Sequence, residues 1–148
     1  MLVVTGNPGV GKTYMCAAVI NKWGDRKSLL ARGIKTVRYW TEYDLLQRMR
    51  DHISGGHGGD YVKVLQYITD DELIILDDLG ATGRNDWREE ILYTFLNQQW
   101  SDNRATMITS NYNRREIQQM YHPRIASRLF DKYNVIINMD GNDRRLND

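Results

Sequence analysis

A single cysteine, no long apolar run and no surplus of either charge mark this chain of 148 residues. The lone Cys16 excludes a disulfide framework, and its place inside a helical pattern suits buried packing. No apolar run approaches the ~20 residues of a membrane span, and Met1-Leu2-Val3-Val4 lacks a signal-peptide layout. Lys and Arg total 20 against 19 Asp and Glu, a net charge of +1; a basic stripe for nucleic acid would have to be local. The three histidines, His52, His57 and His122, lack metal-ligand spacing, so no zinc site is expected. Together these absences point to a reducing, cytoplasmic setting. The remainder is 41% hydrophobic and 26% charged, which suits one globular domain.

Gly6-Asn7-Pro8-Gly9-Val10-Gly11-Lys12-Thr13 fills the pattern G-x-x-x-x-G-K-T. The apolar run Leu2-Val3-Val4 precedes it, and a helical pattern with Ala17, Ala18, Val19 and Ile20 follows. Strand, glycine loop, helix is the context that a phosphate-binding loop requires. Its glycines let the backbone curl so that successive N–H groups face phosphate oxygens, and the helix N-terminus adds partial positive charge. Lys12 would reach the β- and γ-phosphates, and the Thr13 hydroxyl would hold Mg²⁺. Tyr14, next in the chain, joins Gly6 to Thr13 as a candidate nucleotide contact. The implied ligands are ATP and Mg²⁺.

Strands and helices alternate along the rest of the chain. Lys35–Trp40 reads as a second strand, and Thr41 with Asp44 opens a helix in the manner of a capping box. Ser54–Gly59 reads as a flexible glycine loop, followed by a short helix over Val62–Ile68. Leu73-Ile74-Ile75-Leu76 is a strand buried on both faces, ending in Asp77-Asp78. Asp86–Trp100 is a helix, Ala105–Asn111 a strand, Arg114–Tyr121 and Pro123–Phe130 are helices, and Asn134–Asn138 is the last strand. The expected fold is α/β: a mostly parallel five-stranded sheet flanked by helices on both faces.

Ligands of such sheets sit beyond the carboxyl ends of the strands, where the glycine loop, Asp77, Asp78 and Asn111 all fall. Asp77, the first acid after four apolar residues, fits the metal-positioning carboxylate. Asp78 is placed to polarise a water for attack on the γ-phosphate. Such an acid serves a hydrolase, whereas a kinase needs a dedicated acceptor pocket. Asn111 could hydrogen-bond the attacking water or the γ-phosphate. Arg128 is the first candidate for an arginine finger supplied by a neighbouring subunit, with Arg124 as its competitor.

These blocks together resemble the AAA+ ATPases of the DnaC/IstB type, the replicative helicase loaders and transposition-helper ATPases of the P-loop NTPase superfamily. The resemblance rests on the glycine loop, Leu73-Ile74-Ile75-Leu76-Asp77-Asp78-Leu79-Gly80, Thr109-Ser110-Asn111, Ser127-Arg128-Leu129 and Gly141-Asn142-Asp143-Arg144-Arg145. It implies an ASCE/AAA+ core in which Asp78 is the hydrolytic acid, Asn111 is sensor 1 and Arg128 acts across a subunit interface. It also makes Arg145 a candidate nucleotide or subunit contact, although Arg144 stands where the family usually has tyrosine. Asn97-Gln98-Gln99-Trp100 replaces an Asn-x-Arg-Tyr pattern, so an expected arginine is absent.

The resemblance implies a single AAA+ domain over residues 1–148 without a large helical lid; the family's helicase loaders carry an N-terminal segment that grips the helicase, and the expectation here is a departure from them, with no such partner-binding domain. It further implies head-to-tail homo-oligomers, single-stranded DNA as ligand, and a replicative helicase or transposase as partner, with no membrane. The segment from Tyr43 to Lys63, with the cations Arg48, Arg50, His52 and Lys63, is the candidate DNA contact. The expected activity is Mg²⁺-dependent ATP hydrolysis by a helicase-loader-like protein of DNA replication. A transposition-helper ATPase, a slowly hydrolysing regulatory switch and a small-molecule kinase are the alternatives.

Overall fold

A computed structural model describes residues 1–23, 37–54, 61–70, 73–83 and 85–146. Five strands form one sheet: β1 (Leu2–Gly6), β2 (Val37–Thr41), β3 (Leu73–Leu79), β4 (Ala105–Ser110) and β5 (Val135–Met139). Their spatial order is β2-β3-β4-β1-β5, and every pairing is parallel. Parallel neighbours cannot be joined by a tight turn, so each connection crosses over, most of them through a helix. The helices are α1 (Lys12–Trp23), α2 (Glu42–Ser54), α3 (Tyr61–Ile68), α4 (Asp86–Ser101), α5 (Arg114–Met120) and α6 (Pro123–Leu129), with a final 3₁₀ turn at Arg144–Leu146.

Alternation along each strand divides the core in two. Val3, Ile74, Leu76 and Ile108 face the helices α2 to α6 and pack with Leu45, Met49, Leu65, Phe95 and Leu129. Val4, Leu73, Ile75 and Met107 face the other way and pack with Cys16 of α1. Both faces of the central strands are therefore apolar, which is why Leu73–Leu76 carries no polar residue. Full burial of each such side chain stabilises the fold by about 1.5–3 kcal/mol.

The helix starts follow local chemistry. The Thr41 hydroxyl accepts from the Asp44 N–H at 3.1 Å and donates to the Asp44 carboxylate at 2.6 Å, so the expected cap forms. Asn85 caps α4, and Asn113 with Glu116 makes a full capping box on α5. Pro123 opens α6, where its missing N–H costs nothing.

Differences from the sequence reading are small and physical. β3 runs on through Asp77 and Asp78 to Leu79 instead of stopping at Leu76, because its pairing with β4 continues past a bulge. The second strand is described from Val37 onward, so Lys35 and Thr36 lie outside the described residues. So does nearly all of the expected glycine loop, at 55–60. No helix among the described residues is long and apolar enough to cross a membrane.

Candidate nucleotide site

β4 lies between β1 and β3. The glycine loop and the acids of β3 are thus two strand spacings apart, roughly 10 Å, with the end of β4 between them. Gly6 closes β1, and the loop turns directly into α1. The Lys12 ammonium lies inside this curl and donates to the carbonyls of Gly6 and Asn7, both at 2.7 Å. Burial lowers the Lys12 pKa; the carboxylates of Asp78 and Asp77 pull it back up, and Arg145 pushes it down. A buried ammonium held by carbonyls is poised to exchange them for phosphate oxygens. Asn7, Pro8 and Thr13 are exposed, and Tyr14 beside them is 80% exposed, so a ligand can reach them.

Gly9 needs to be glycine. Its φ is +77°, and a β-carbon there would meet the Asp143 carboxylate at 1.7 Å. The chain after β5 lies over the loop at this point, with the Arg144 N–H donating to the Gly9 carbonyl at 3.2 Å. Arg145 is paired with Asp143 at 3.7 Å and remains largely exposed. The segment that carries Arg145 is therefore held against the phosphate loop through the Arg144 backbone.

Asp77 is 3% exposed and saturated with donors. Its Oδ2 accepts from the Thr13 hydroxyl at 2.9 Å and the Tyr39 hydroxyl at 2.6 Å. Its Oδ1 accepts from the Thr109 hydroxyl in a short contact and from the Cys16 thiol at 3.8 Å. Burial, with Asp77 beside it, pushes the Cys16 thiol up to about 12. Burial and the same carboxylate raise the Tyr39 phenol. Both groups stay protonated and act only as donors.

Two acids in succession on a regular strand would point to opposite faces. Here a bulge places Asp77 and Asp78 opposite the single residue Thr109, and Asp78 takes a left-handed φ of +62°. Thr109 fixes this shape, because its hydroxyl also accepts the Asp78 N–H at 3.0 Å. The Asp78 carboxylate then accepts from the Asn111 amide at 2.7 Å. Next along the chain, the Gly80 N–H donates to the buried Glu42 carboxylate at 2.8 Å, which pins the backbone just past β3.

Thr13, Asp77, Asp78 and Asn111 are thus gathered at one edge of the sheet, beside Lys12. Arg128 is elsewhere. Its guanidinium donates to Asn97 Oδ1 at 3.2 and 3.0 Å and stacks on Trp100 with 4.3 Å to the ring centroid. Its carbonyl accepts from Asn134, which in turn holds the Met1 ammonium. Those residues stand at the amino ends of β5 and β1, opposite the phosphate loop. Arg124, one turn earlier on α6, stacks on Tyr93 at 4.8 Å. Neither arginine serves the loop of its own chain.

On the α2–α3 side, Arg48 and Lys63 are exposed, Arg50 stacks on Trp87 at 5.3 Å, and His52 lies tilted against Tyr67 at 6.3 Å. Sequence reasoning missed Tyr39, Thr109 and Glu42, whose importance comes from contacts between strands and helices far apart in the chain.

A hydroxyl and a carboxylate 2.9 Å apart are hard oxygen donors, the kind Mg²⁺ takes when phosphate oxygens and waters fill its other positions. Among the described residues no group of three or more His, Cys, Asp or Glu side chains could hold a metal by itself. The donor set fits Mg²⁺ arriving with a phosphate ligand.

Over 146 residues the chain is 26% identical to the replicative helicase loader DnaC of Escherichia coli (strain K12), covering 97% of this chain and 56% of the relative. A crystal structure of the DnaC helicase loader superposes with a TM-score of 0.76 at 22% identity, over 94% of this chain and 77% of that one. The replication initiator DnaA bound to AMPPCP and single-stranded DNA gives 0.73 at 18% identity, over 95% and 40%. The chain spans about half the length of the curated relatives it matches, and its fold is that of the P-loop AAA+ ATPases. A family model described as IstB-like ATP binding protein matches residues 1–147, and the chain belongs to that family.

Proposed function

We propose that this chain is a Mg²⁺-dependent ATPase that hydrolyses ATP to ADP and phosphate and works in the cytoplasm as a helicase-loader-like protein of DNA replication. The observation that carries the reading is the pairing of two differently dressed acids at one sheet edge. Asp77 is joined to Thr13, while Asp78 is joined to Asn111.

The amides of Gly9 to Thr13 and the Lys12 ammonium bind the phosphates, with Asn7, Pro8 and Tyr14 at the rim. Thr13 and Asp77 would hold Mg²⁺, which supplies neutralisation of phosphate charge. Asp78 orients a water toward the γ-phosphorus and takes its proton, and Asn111 holds that carboxylate and the water in line. Attack forms the new P–O bond as the bond to the ADP oxygen breaks. The charge spread over the transferred group is met by Lys12 and, from an adjacent copy, by Arg128. That last role requires a head-to-tail assembly, because Arg128 lies at the far edge of its own sheet. Arg145 is a further nucleotide or subunit contact.

Single-stranded DNA as ligand and a replicative helicase as partner rest on the names of the loader relatives and on the DNA-bound initiator of the same fold. Arg48, Arg50, His52 and Lys63 are the cations assigned to DNA phosphates. Membership of an IstB-like family supports a second reading, a transposition helper with a transposase as partner.

Steady-state hydrolysis measured with and without Mg²⁺ and single-stranded DNA tests the reading. Turnover that needs Mg²⁺ and rises with DNA is expected. Tight nucleotide binding without turnover favours a regulatory switch, and phosphate transfer to a small acceptor favours a kinase.

A further inference from the structure

Among the described residues β2 is an edge strand, with β3 as its neighbour in the sheet. Its register sets Tyr39 opposite Ile75 and Thr41 opposite Asp77. Tyr39 is therefore the diagonal neighbour of Asp77 on the same face, one strand spacing across and two residues along, roughly 8 Å, which a long aromatic side chain can span. The phenol does so, and its hydroxyl reaches Asp77 Oδ2 at 2.6 Å. The ring is 38% exposed at the sheet edge, so a contact costing side-chain freedom is made at a place where packing alone does not demand it.

Every acceptor position of Asp77 is in use. Thr109 and Cys16 take one oxygen, Thr13 and Tyr39 the other. Of these four donors only Thr13 would also be a metal ligand, since a hydroxyl can offer a lone pair to a metal while its O–H still donates to Asp77. The direction of the Asp77 carboxylate would therefore set the direction of the Thr13 lone pair. Tyr39 and Thr109 hold that carboxylate, one on each oxygen. An acid gripped on both oxygens keeps one orientation, and groups that orient a ligand in this way commonly set metal affinity.

We propose that Tyr39 is a positioning residue for the metal site, orienting Asp77 across the β2–β3 edge so that Mg²⁺ strengthens nucleotide binding. The inference rests on the ATPase reading above and adds to it a residue outside the motifs. Tyr39→Phe keeps the ring and removes only the hydroxyl. Equilibrium dialysis with a labelled non-hydrolysable ATP analogue, with Mg²⁺ and with chelator, gives the factor by which Mg²⁺ tightens binding. In Tyr39→Phe that factor should fall about tenfold, with the metal-free affinity unchanged, and in an Asp77→Asn background Tyr39→Phe should add no further loss. An unchanged factor, equal losses with and without Mg²⁺, or a full loss persisting in the Asp77→Asn background overturns the inference. A wild-type chain that binds no nucleotide defeats the functional reading itself, and this inference with it. Wild-type binding strengthened by Mg²⁺ leaves that reading standing whatever the variant does.

Discussion

The Asn111 side-chain amide donates to the Asp78 carboxylate at 2.7 Å, joining the end of β4 to the bulge in β3. This contact fixes where the second acid points, and it separates the task of Asp78 from that of Asp77. Asp78→Asn keeps the shape but removes the proton acceptor, so hydrolysis should fall about a hundredfold or more while nucleotide affinity is retained. Asn111→Ala should cost less turnover than Asp78→Asn. Single-turnover hydrolysis alongside equilibrium binding measures both; full hydrolysis in Asp78→Asn would remove that residue from the catalytic role.

Gly80 follows the acid pair with a φ of +99°, and a β-carbon would lie 2.7 Å from the Tyr112 ring. Its N–H is also held by Glu42. Gly80→Ala combines an unfavourable backbone with a collision, so a loss of about 2 kcal/mol or more is expected. Urea denaturation would register this as a lower midpoint at an unchanged slope. An unaltered midpoint would mean that this segment relaxes freely.

Cys16 is fully buried beside Asp77, and its thiol is pushed up from 9.0 to about 12. The folded chain keeps this proton where the unfolded chain releases it. The resulting stability is complete below about pH 9 and declines as pH rises toward 12. Melting curves from pH 8 to 11 should show that decline, and Cys16→Ala should flatten it. Iodoacetamide at pH 8.5 should label the unfolded chain quickly and the native chain hardly at all; rapid native labelling contradicts the buried contact.

Arg128 is held by Asn97 and Trp100 at the edge of the sheet opposite the phosphate loop. Arg128→Ala and Lys12→Ala subunits should each be inactive alone. Mixed, they should recover part of the hydrolysis, because an interface can then pair an intact loop with an intact arginine. Absence of recovery at every mixing ratio counts against action between subunits and returns attention to Arg124.

Much of the fold was readable because each local signal agreed with the next. Leu73–Leu76 shows its double burial in composition, Thr41 with Asp44 is a short-range cap, and the glycine loop defines its own flanks. The site was readable where its parts follow one another in the chain, as from Gly6 to Thr13 and from Asp77 to Asp78. Register was not readable: nothing local to Tyr39 says that it faces Asp77, and nothing local to Thr109 says that it holds both acids. The left-handed turn at Asp78 was likewise hidden, since it arises from two β3 residues meeting one residue of β4. Arg128 was legible as a motif, whereas its place at the far edge emerged only with the packing of α6 on α4.

The proposed function stands or falls on whether the loop from Gly6 to Thr13 and the carboxylate of Asp77 together take a magnesium-bound triphosphate. Titration calorimetry of ATP into the wild-type chain with Mg²⁺, repeated with Lys12→Ala, decides it. One nucleotide bound per chain, with binding lost in Lys12→Ala, is the expected result. No heat from the wild type, or equal binding by both chains, would contradict it.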